Sequence, residues 1–292
     1  MPSVSYIVPV WNKRDYLEEC VNSIVRQNVA DFEIIFIDDV STDGSKDFLV
    51  SLNVPNSVIL SNRANEGPGP TRNLGLSAAT GTYVRFVDAD DVLPDGSMQR
   101  LLSACAQSSC PAVRGNFALF DTLTPEKEVV VFPVGDSIGL PFWSNEGMTV
   151  PWLFQAYLFR RDYLEDNRHQ FPDLRYGEDP VFLARFLCDA KIVDTISDLT
   201  YLCRSRIGRQ IVYSHVHVAD YHRHLEIVAE EFSRHGLQNL AEKYLRRGAD
   251  DLRAMISTSD LPSEEVEIVK AKAARLIPTP VHVADTSEEV PC

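Results

Sequence analysis

The sequence of 292 residues is long enough for one large α/β domain with an appendage, or for two ordinary domains. Hydrophobic residues make up 45% of the chain and charged residues 24%, which excludes a disordered, collagen-like or coiled-coil protein. The 42 acidic and 28 basic residues give a formal net charge of −14, the wrong sign for binding nucleic acid through its phosphates. To bind a small phosphate ligand, such a protein needs local arginines or a divalent cation.

The sequence also bears on where the protein works. No segment approaches the roughly 20 apolar residues of a membrane-spanning helix, and the start of the chain lacks the pattern of a secretory signal. The six cysteines are scattered without the spacing of a zinc site, which favours reduced thiols. We predict a cytoplasmic protein, with peripheral contact to a membrane as the other option.

The first hundred residues alternate between strand and helix patterns. Apolar runs predict strands at 4–10, 33–37, 58–60 and 83–87, and helical spacing or helix-start signals predict helices at 17–25, 44–52 and 72–79. Strands that are apolar throughout and are linked by helices indicate a mostly parallel, Rossmann-like sheet with helices on both faces. Ligands of such sheets bind beyond the carboxyl ends of the strands, which directs attention to Asp38, Asp39 and 88–91.

The rest of the chain is less regular and ends in helices. We predict a helix at 97–107, strands within 112–132, a loop at 135–151, a helix at 180–188, strands at 192–196 and 201–206, and helices at 217–255 and 263–276. The composition changes near residue 210. This divides the chain into a catalytic domain at 1–210, a helical extension at 211–277 and a mobile acidic tail at 278–292. The extension offers a surface through which two subunits can pair.

An acidic cluster, Asp88-Ala89-Asp90-Asp91, directly follows the fourth predicted strand. Carboxylates at the end of a central strand can hold a hard cation such as Mn²⁺ or Mg²⁺, whose open positions take phosphate oxygens. Without such a cation the three acids repel one another. The simpler alternative is an acidic turn that leads into Pro94 and Gly96.

Two other segments fit a nucleotide pocket. Asp39 ends the second strand, where it can accept a base imide or ribose hydroxyls, and Trp11 ends the first strand, where its ring can lie against a base. Arg72 lies in a helix start after a Gly/Pro loop, a setting suited to diphosphate, although an ordinary tight turn fits equally well. Asp43 fits a helix cap better than a ligand.

Glu178-Asp179-Pro180 precedes a predicted helix. Its structural interpretation is that Asp179 is the N-cap and Pro180 the first helical residue, and its functional interpretation is that Asp179 is a general base facing the cleft. The residues alone favour neither.

Three arginines fall within 204–209 of this acidic chain. Arg204 and Arg206 are candidates for a lid that closes on diphosphate. His215 is a further candidate metal ligand. For both His215 and His217, the alternative is a surface or capping role.

In these segments the chain resembles the family 2 glycosyltransferases of the GT-A fold, which are inverting enzymes that use nucleotide sugars. The start of the chain is also similar to the bacterial spore-coat transferase of that family. The matching pieces, in order, are 4–12, 32–39, 72–75, 86–91, 171–172, 178–179 and 201–208.

The resemblance implies a role for each matching residue. Trp11 stacks on the base, Asp39 reads the base, and Asp90 holds the ribose and helps Asp91 to ligate the metal. The catalytic base is Asp179. Pro9, from a matching piece, and Arg72, Arg204 and Arg206, from the residue pattern described above, complete the predicted nucleotide-sugar site. His215, also from that pattern, is the third candidate metal ligand.

The resemblance thus implies a metal-dependent transfer of one sugar, from a UDP-sugar by preference, to a glycan, glycolipid or other hydroxyl acceptor. Cell-surface glycan biosynthesis is the expected setting. The Gln-x-x-Arg-Trp element of processive synthases is absent from the sequence, which favours single transfer. Two alternatives remain at this point: a haloacid-dehalogenase-type phosphatase that uses the DxDx[TV] segment 88–92, and a non-catalytic receiver-like domain with an acidic pocket at Asp38 and Asp39.

Overall fold

The computed structural model describes residues 2–121, 124–205, 215–257, 266, 267, 270, 271 and 274. The strands are β1 Val4–Val10, β2 Phe32–Asp38, β3 Ser57–Ser61, β4 Tyr83–Phe86, β5 Ala112–Asp121, β6 Thr124–Val131, β7 Tyr157–Arg160 and β8 Asp194–Ser205. The α-helices are α1 Leu17–Val25, α2 Ser45–Leu52, α3 Pro68–Ala78, α4 Ser97–Ala106, α5 Arg161–Asp166, α6 Glu178–Ala190, α7 His215–Arg234 and α8 Gln238–Ser257. Short 3₁₀ turns cover Phe142–Ser144, Glu146–Met148 and Phe154–Ala156.

All eight of these strands lie in one sheet. Its order is β3-β2-β1-β4-β7-β5-β6, and β8 pairs with β5. The strands β3, β2, β1 and β4 are parallel, whereas β7 runs antiparallel to both β4 and β5. The predicted α/β class, with a central sheet, helices on both sides and a helical C-terminal region, is confirmed.

The parallel register brings several strand ends together. Val10 at the end of β1 lies beside Asp38 at the end of β2, and the residues after β4 follow at the same edge of the sheet. Side chains that come just after these strands therefore converge, which is the arrangement that places ligand sites in open parallel sheets.

Several boundaries differ from the prediction, and two of them affect the site. Helix α3 begins at Pro68 rather than near Arg72, because proline is tolerated in a first helical turn, where no N–H partner is lost. Helix α6 begins at Glu178, after Gly177 with a φ of 87°. Asp179 therefore lies in the first turn, and Gly177 occupies the N-cap position that the structural interpretation gave to Asp179.

Other differences lie further from the site. Strand β7 and helix α5 were not predicted, and the two strands predicted at 192–196 and 201–206 form the single strand β8. Bulges in the β5 pairing interrupt the regular alternation of β8, which explains the apparent gap. The predicted long C-terminal helix is two helices, separated at Gly236 with a φ of 74°.

Helices α7 and α8 pack on each other, and α7 also packs on α6. The predicted division of the chain at residue 210 stays a prediction, and the predicted tail at 278–292 lies outside the described residues. No helix among those described is both long enough and apolar enough to cross a membrane.

Helix α3 approaches the sheet closely at Gly75. A Cβ atom added there would lie 2.5 Å from Ile7 Cγ2 and 2.7 Å from Ile37 Cδ1, side-chain atoms of β1 and β2. Because real Cβ contacts are longer than this, only glycine lets the helix rest at this depth. The close approach sets the position of Arg72, one turn earlier on the same helix.

We expect Gly75→Val to lower the free energy of unfolding by about 1–3 kcal/mol or more, because the added carbons overpack this contact. Ser77→Val is the matched control, since Ser77 is exposed on the same helix and carries the same β-branched cost. Urea unfolding of both variants measures the difference. Equal losses in the two variants would show that the close approach does not limit stability.

Candidate active site

A cavity of about 460 Å³ opens at the carboxyl ends of β1, β2 and β4. Five of the residues predicted for the nucleotide-sugar site line it: Pro9, Trp11, Asp39, Arg72 and Asp90. The Trp11 ring is 54% exposed at the rim, where an aromatic face is open to a ligand. The strand-end rule thus brings together residues that are far apart in sequence.

Arg72 lies at the centre of a cluster of carboxylates. Its Nη1 donates to Glu178 Oε1 at 2.9 Å and to Asp179 Oδ1 at 2.8 Å, and its Nη2 donates to Asp88 Oδ1 at 2.9 Å. The Arg72 side chain is only 5% exposed, with Phe154 packed under the guanidinium. The predicted diphosphate role of Arg72 does not fit this arrangement, because its charge is already matched by three acids.

The cluster shifts the pKa values of its two aspartates, Asp88 and Asp179, in opposite directions. Burial raises the pKa of Asp88, but the charge and hydrogen bond of Arg72 outweigh this, so the pKa lies below its usual range. Burial is the main reason why the pKa of Asp179 lies well above its usual range. The charge of Arg72 lowers this pKa, whereas the charges of Glu178 and Asp88 raise it further. A carboxylate with a raised pKa is a better proton acceptor at neutral pH.

Asp39 is held in place by one side-chain and two backbone donors of the segment that follows β3. Its Oδ1 accepts from Asn62 Nδ2 at 2.7 Å and from the Glu66 N–H at 2.9 Å, and its Oδ2 accepts from the Gly67 N–H at 2.9 Å. A carboxylate oxygen accepts two hydrogen bonds, so Oδ2, with one donor, retains one acceptor position, and Asp39 lines the cavity. The residue can therefore both fix the loop and receive one N–H of a ligand.

Asp90 and Asp91 occupy different environments. Asp90 lines the cavity and forms an ion pair with Lys13, whereas Asp91 is 3% exposed. Its two oxygens accept from Tyr201 Oη and from the Arg204 N–H, each at 2.8 Å. Burial and the nearby Asp88 and Asp90 charges raise the pKa of Asp91 well above its usual range. This position disagrees with the role of principal metal ligand predicted for Asp91, because its carboxyl group faces β8 rather than the cavity.

Arg204 also differs from its predicted role. Its Nη2 donates to Glu19 of α1 at 2.5 Å, its Nε donates to the Asp90 carbonyl at 2.8 Å, and its guanidinium lies over Phe120. The residue is 8% exposed and does not line the cavity. This buried, paired position does not fit the phosphate contact predicted for Arg204. Arg206 and the side chain of His215 lie outside the described residues, so their roles stay predictions.

Three residues that the sequence analysis missed belong to the site. Lys13 and Arg175 line the cavity, and Gln155 donates to Asp88 Oδ2 at 3.0 Å. Arg175 also donates from Nη1 and Nη2 to the side-chain and backbone oxygens of Asn65, at 2.8 and 2.9 Å. Lys13 follows β1 by three residues, so the strand-end rule could have found it. No comparable local signal marks Arg175 or Gln155.

The turn before α6 is supported by α7. The Arg175 N–H donates to Asp220 Oδ2 at 2.8 Å, and a Cβ atom on Gly177 would lie 2.4 Å from His224 Nδ1. Burial lowers the pKa of His224 to about 3, so this ring is neutral at physiological pH. The C-terminal helices therefore help to position the turn that carries Asp179.

Comparison with known proteins agrees with this architecture. The family model described as "Glycosyl transferase family 2" matches residues 5–165, more than half of the chain. The chain belongs to glycosyl transferase family 2. The match includes the acidic segment 88–92 and its preceding strands, which leaves the phosphatase and receiver-like alternatives without support.

Curated relatives show the same relationship. The glycosyltransferase GlyG of Streptococcus pneumoniae is 32% identical over 91% of this chain and 86% of its own length. EpsJ of Bacillus subtilis, an uncharacterised glycosyltransferase, is 29% identical over 70% of this chain, and poly(ribitol-phosphate) β-glucosyltransferase of Bacillus spizizenii is 27% identical over 68%. The matched regions span 61% and 31% of the lengths of EpsJ and the B. spizizenii enzyme.

Solved structures show the same fold. The TarS fragment 1–349 of Staphylococcus aureus has a TM-score of 0.76 at 20% identity and covers 95% of this chain and 81% of its own. Structures of that fragment have also been solved with UDP and with UDP-GlcNAc. At this identity the likeness establishes the shared fold.

We expect Arg72→Met to lower the free energy of unfolding at pH 7 by about 3–5 kcal/mol, because it leaves buried carboxylates without their counter-charge. The ion pair that lowers the pKa of Asp88 stabilises the wild type above the usual carboxyl pKa, and this stability is lost as the pH falls. In the variant, the uncompensated acids bind protons more readily in the folded state, so the deficit should narrow between pH 7 and pH 5. Urea unfolding at pH 7 and at pH 5 measures the difference in the free energy of unfolding between wild type and variant. A difference that does not change with pH would contradict the electrostatic account.

Proposed function

We propose that the protein is an inverting glycosyltransferase that moves one sugar from a nucleotide diphosphate sugar to an acceptor hydroxyl. The observation that carries this proposal is the link through Arg72 between Asp179, at the start of α6, and Asp88, at the edge of the nucleotide-sized cavity. A proton acceptor held on a rigid helix beside a cavity with an exposed aromatic ring suits group transfer from a nucleotide donor.

A UDP-sugar is the favoured donor. The remaining acceptor position on Asp39 Oδ2 matches the single imide N–H of uracil, and Trp11 at the rim offers a ring for the base. The solved complexes of S. aureus TarS with UDP and UDP-GlcNAc support the same class of donor. Lys13 and Arg175 replace Arg72 and Arg204 as the cationic groups proposed to contact the diphosphate. Both line the cavity, whereas Arg204 does not, and the charge of Arg72 is already matched by three acids.

Asp179 would act as the general base. The acceptor oxygen attacks the anomeric carbon as its proton moves to Asp179, and the bond from that carbon to the diphosphate oxygen breaks in the same step. Single in-line displacement inverts the anomeric configuration and requires no covalent enzyme intermediate. The side chain of Asp179 is 29% exposed, so an acceptor hydroxyl can reach it despite the contact with Arg72.

The cavity suits a divalent cation only in part. Asp88 and Asp90 supply carboxylate oxygens of the kind that Mn²⁺ and Mg²⁺ prefer, but the described residues contain no ready-made group of three or more acidic, His or Cys ligands. Such cations are often held by one or two carboxylates together with substrate phosphates. We propose that Asp90 and Asp88 hold Mn²⁺ or Mg²⁺, which would neutralise charge on the leaving diphosphate. A structural neighbour supports this proposal. The mannosyltransferase of Pyrobaculum calidifontis, which matches this chain with a TM-score of 0.58, was solved in complex with GDP-Man and Mn²⁺.

The acceptor would be a hydroxyl of a cell-surface glycan, a glycolipid or a related polymer. This follows the names of relatives such as the poly(ribitol-phosphate) glycosyltransferases and the succinoglycan biosynthesis protein ExoO of Rhizobium meliloti. The net charge of −14 gives no basis for a nucleic-acid partner.

We expect Asp179→Asn to reduce transfer by about 10²–10⁴-fold, because the amide cannot accept the acceptor proton although it can still accept from Arg72. UDP affinity and melting temperature should stay close to wild type. UDP release from a panel of UDP-sugars, with a cell-envelope glycan extract as the acceptor, measures the rate. Asp173→Asn, at an exposed site on the preceding loop, is the control. Transfer at the wild-type rate by folded, UDP-binding Asp179→Asn would remove Asp179 from the mechanism.

Asp90→Asn and Asp91→Asn separate the two candidate metal ligands. We expect Asp90→Asn to weaken Mn²⁺-dependent UDP binding by about tenfold or more, because its carboxylate faces the cavity. For Asp91→Asn we expect nearly unchanged binding but a loss of stability of about 1–3 kcal/mol, because the change disturbs buried hydrogen bonds to β8. Calorimetric titration with and without Mn²⁺ gives the affinities. A larger loss of binding in Asp91→Asn would reinstate Asp91 as the principal ligand.

A further inference from the structure

A second cavity, of about 430 Å³, lies between α8 and the segment 132–150. We call it the α8 pocket and define it by Phe132, Glu146, Thr149, Lys243, Tyr244 and Arg247. Its volume is close to that of the nucleotide cavity, and the proposed reaction uses none of its residues.

A buried arginine of β5 holds the wall of the α8 pocket in place. Arg114, which is 1% exposed on β5, donates from Nη1 to the Gly147 carbonyl at 2.6 Å and from Nη2 to the Phe132 carbonyl at 2.7 Å. Gly147 lies so close to Pro133 that a Cβ atom would be 2.4 Å from its carbonyl oxygen. The pocket is therefore already formed and does not depend on a ligand to order its wall.

The charge of the α8 pocket is opposite to that of the chain. Lys243 and Arg247 are exposed, and no ion pair joins either of them to a carboxylate within the described part of the protein. The Arg247 guanidinium lies 4.8 Å from the Phe132 ring centre, which restrains it in place. Two cations face one acid, Glu146, in a protein of net charge −14. Tyr244 and Thr149 add hydroxyl groups.

The α8 pocket is close to the catalytic cluster along the chain. Trp152 Nε1 donates to Tyr244 Oη at 3.4 Å, and three residues later Gln155 donates to Asp88. Even a fully extended chain spans only about 10 Å over that distance. Trp152, beside the α8 pocket, and Gln155, beside Asp88, are therefore neighbours in the structure as well as in the sequence.

We propose that the α8 pocket binds the phosphate group of a soluble polyol or sugar phosphate. Lys243 and Arg247 would hold the phosphate oxygens, and Glu146 and Thr149 would receive neighbouring hydroxyls. We assign the pocket to the acceptor, so that a phosphate-bearing acceptor chain is anchored there; this second part rests on the proposed function.

The test uses sn-glycerol 3-phosphate as the probe and glycerol as its uncharged counterpart, observed by ³¹P and ¹H NMR on the full chain. We expect the phosphate compound to bind and glycerol not to bind. Lys243→Gln and Arg247→Gln should each weaken binding about tenfold, because each removes a charge-assisted contact. Arg246→Gln is the matched control, since Arg246 is exposed on the same helix but does not line the pocket. Absence of binding, or equal binding by Arg247→Gln and wild type, overturns the proposal.

Two further measurements identify the source of the phosphate and separate this proposal from the function. Sedimentation with phosphatidylglycerol vesicles that depends on Arg247, without binding of glycerol 3-phosphate, would assign the pocket to lipid and overturn the soluble ligand. UDP titration of Arg247→Gln should match wild type, because the nucleotide cavity is untouched. Binding of glycerol 3-phosphate by a protein that binds no nucleotide would support the pocket while refuting the glycosyltransferase proposal.

Discussion

The buried ion cluster around Arg72 is the interaction on which the site depends. One guanidinium on α3 joins Asp88, after β4, to Glu178 and Asp179 at the start of α6. Burying several charges is favourable only when each is matched and hydrogen-bonded, and the three acids need this arginine for that balance. The depth of α3 on the sheet, set at Gly75, decides whether the guanidinium can reach all three.

The same cluster helps to explain how an acidic protein can bind the anionic donor that we propose. Arg72 neutralises acidic charge that would otherwise repel the proposed diphosphate. The other cations among the described residues of the cavity are Lys13, which is paired with Asp90, and Arg175, which is anchored on Asn65. Among the described residues that line the cavity, the cations Lys13, Arg72 and Arg175 thus equal the acids in number, unlike in the chain as a whole.

The location of the site could be predicted from the sequence more accurately than the contacts that each of its residues makes. Apolar strands and their carboxyl ends located Trp11, Asp39 and Asp90, because these follow from local pattern and a general rule for parallel sheets. The environments of Asp90 and Asp91 could not be read in this way. Adjacent residues after a strand can face opposite directions, so one lines the cavity while its neighbour is buried against β8.

The ion-pair partners of the buried arginines could not be predicted from the sequence for a related reason. Arg72 meets Asp179 across 107 residues of sequence, and Arg204 meets Glu19 across 185, so nothing local to either arginine indicates its partner. The density of arginine near Arg204 suggested phosphate binding, but the buried residue instead packs on Phe120. A buried arginine without a nearby acid in sequence is as compatible with a long-range ion pair as with a ligand.

Helix α7 also constrains the turn that carries Asp179, the proposed base. Gly177 has a φ of 87°, in a region that favours glycine, and the His224 ring fills the space where a side chain would project. A protonated imidazole there would add positive charge close to the turn that carries Asp179, where it would lower the pKa of the proposed base. Burial keeps the ring neutral, with its pKa lowered to about 3, so His224 can support the turn by packing alone. The C-terminal helices thus act on the proposed chemistry through shape, while the charge that tunes Asp179 comes from the cluster around Arg72.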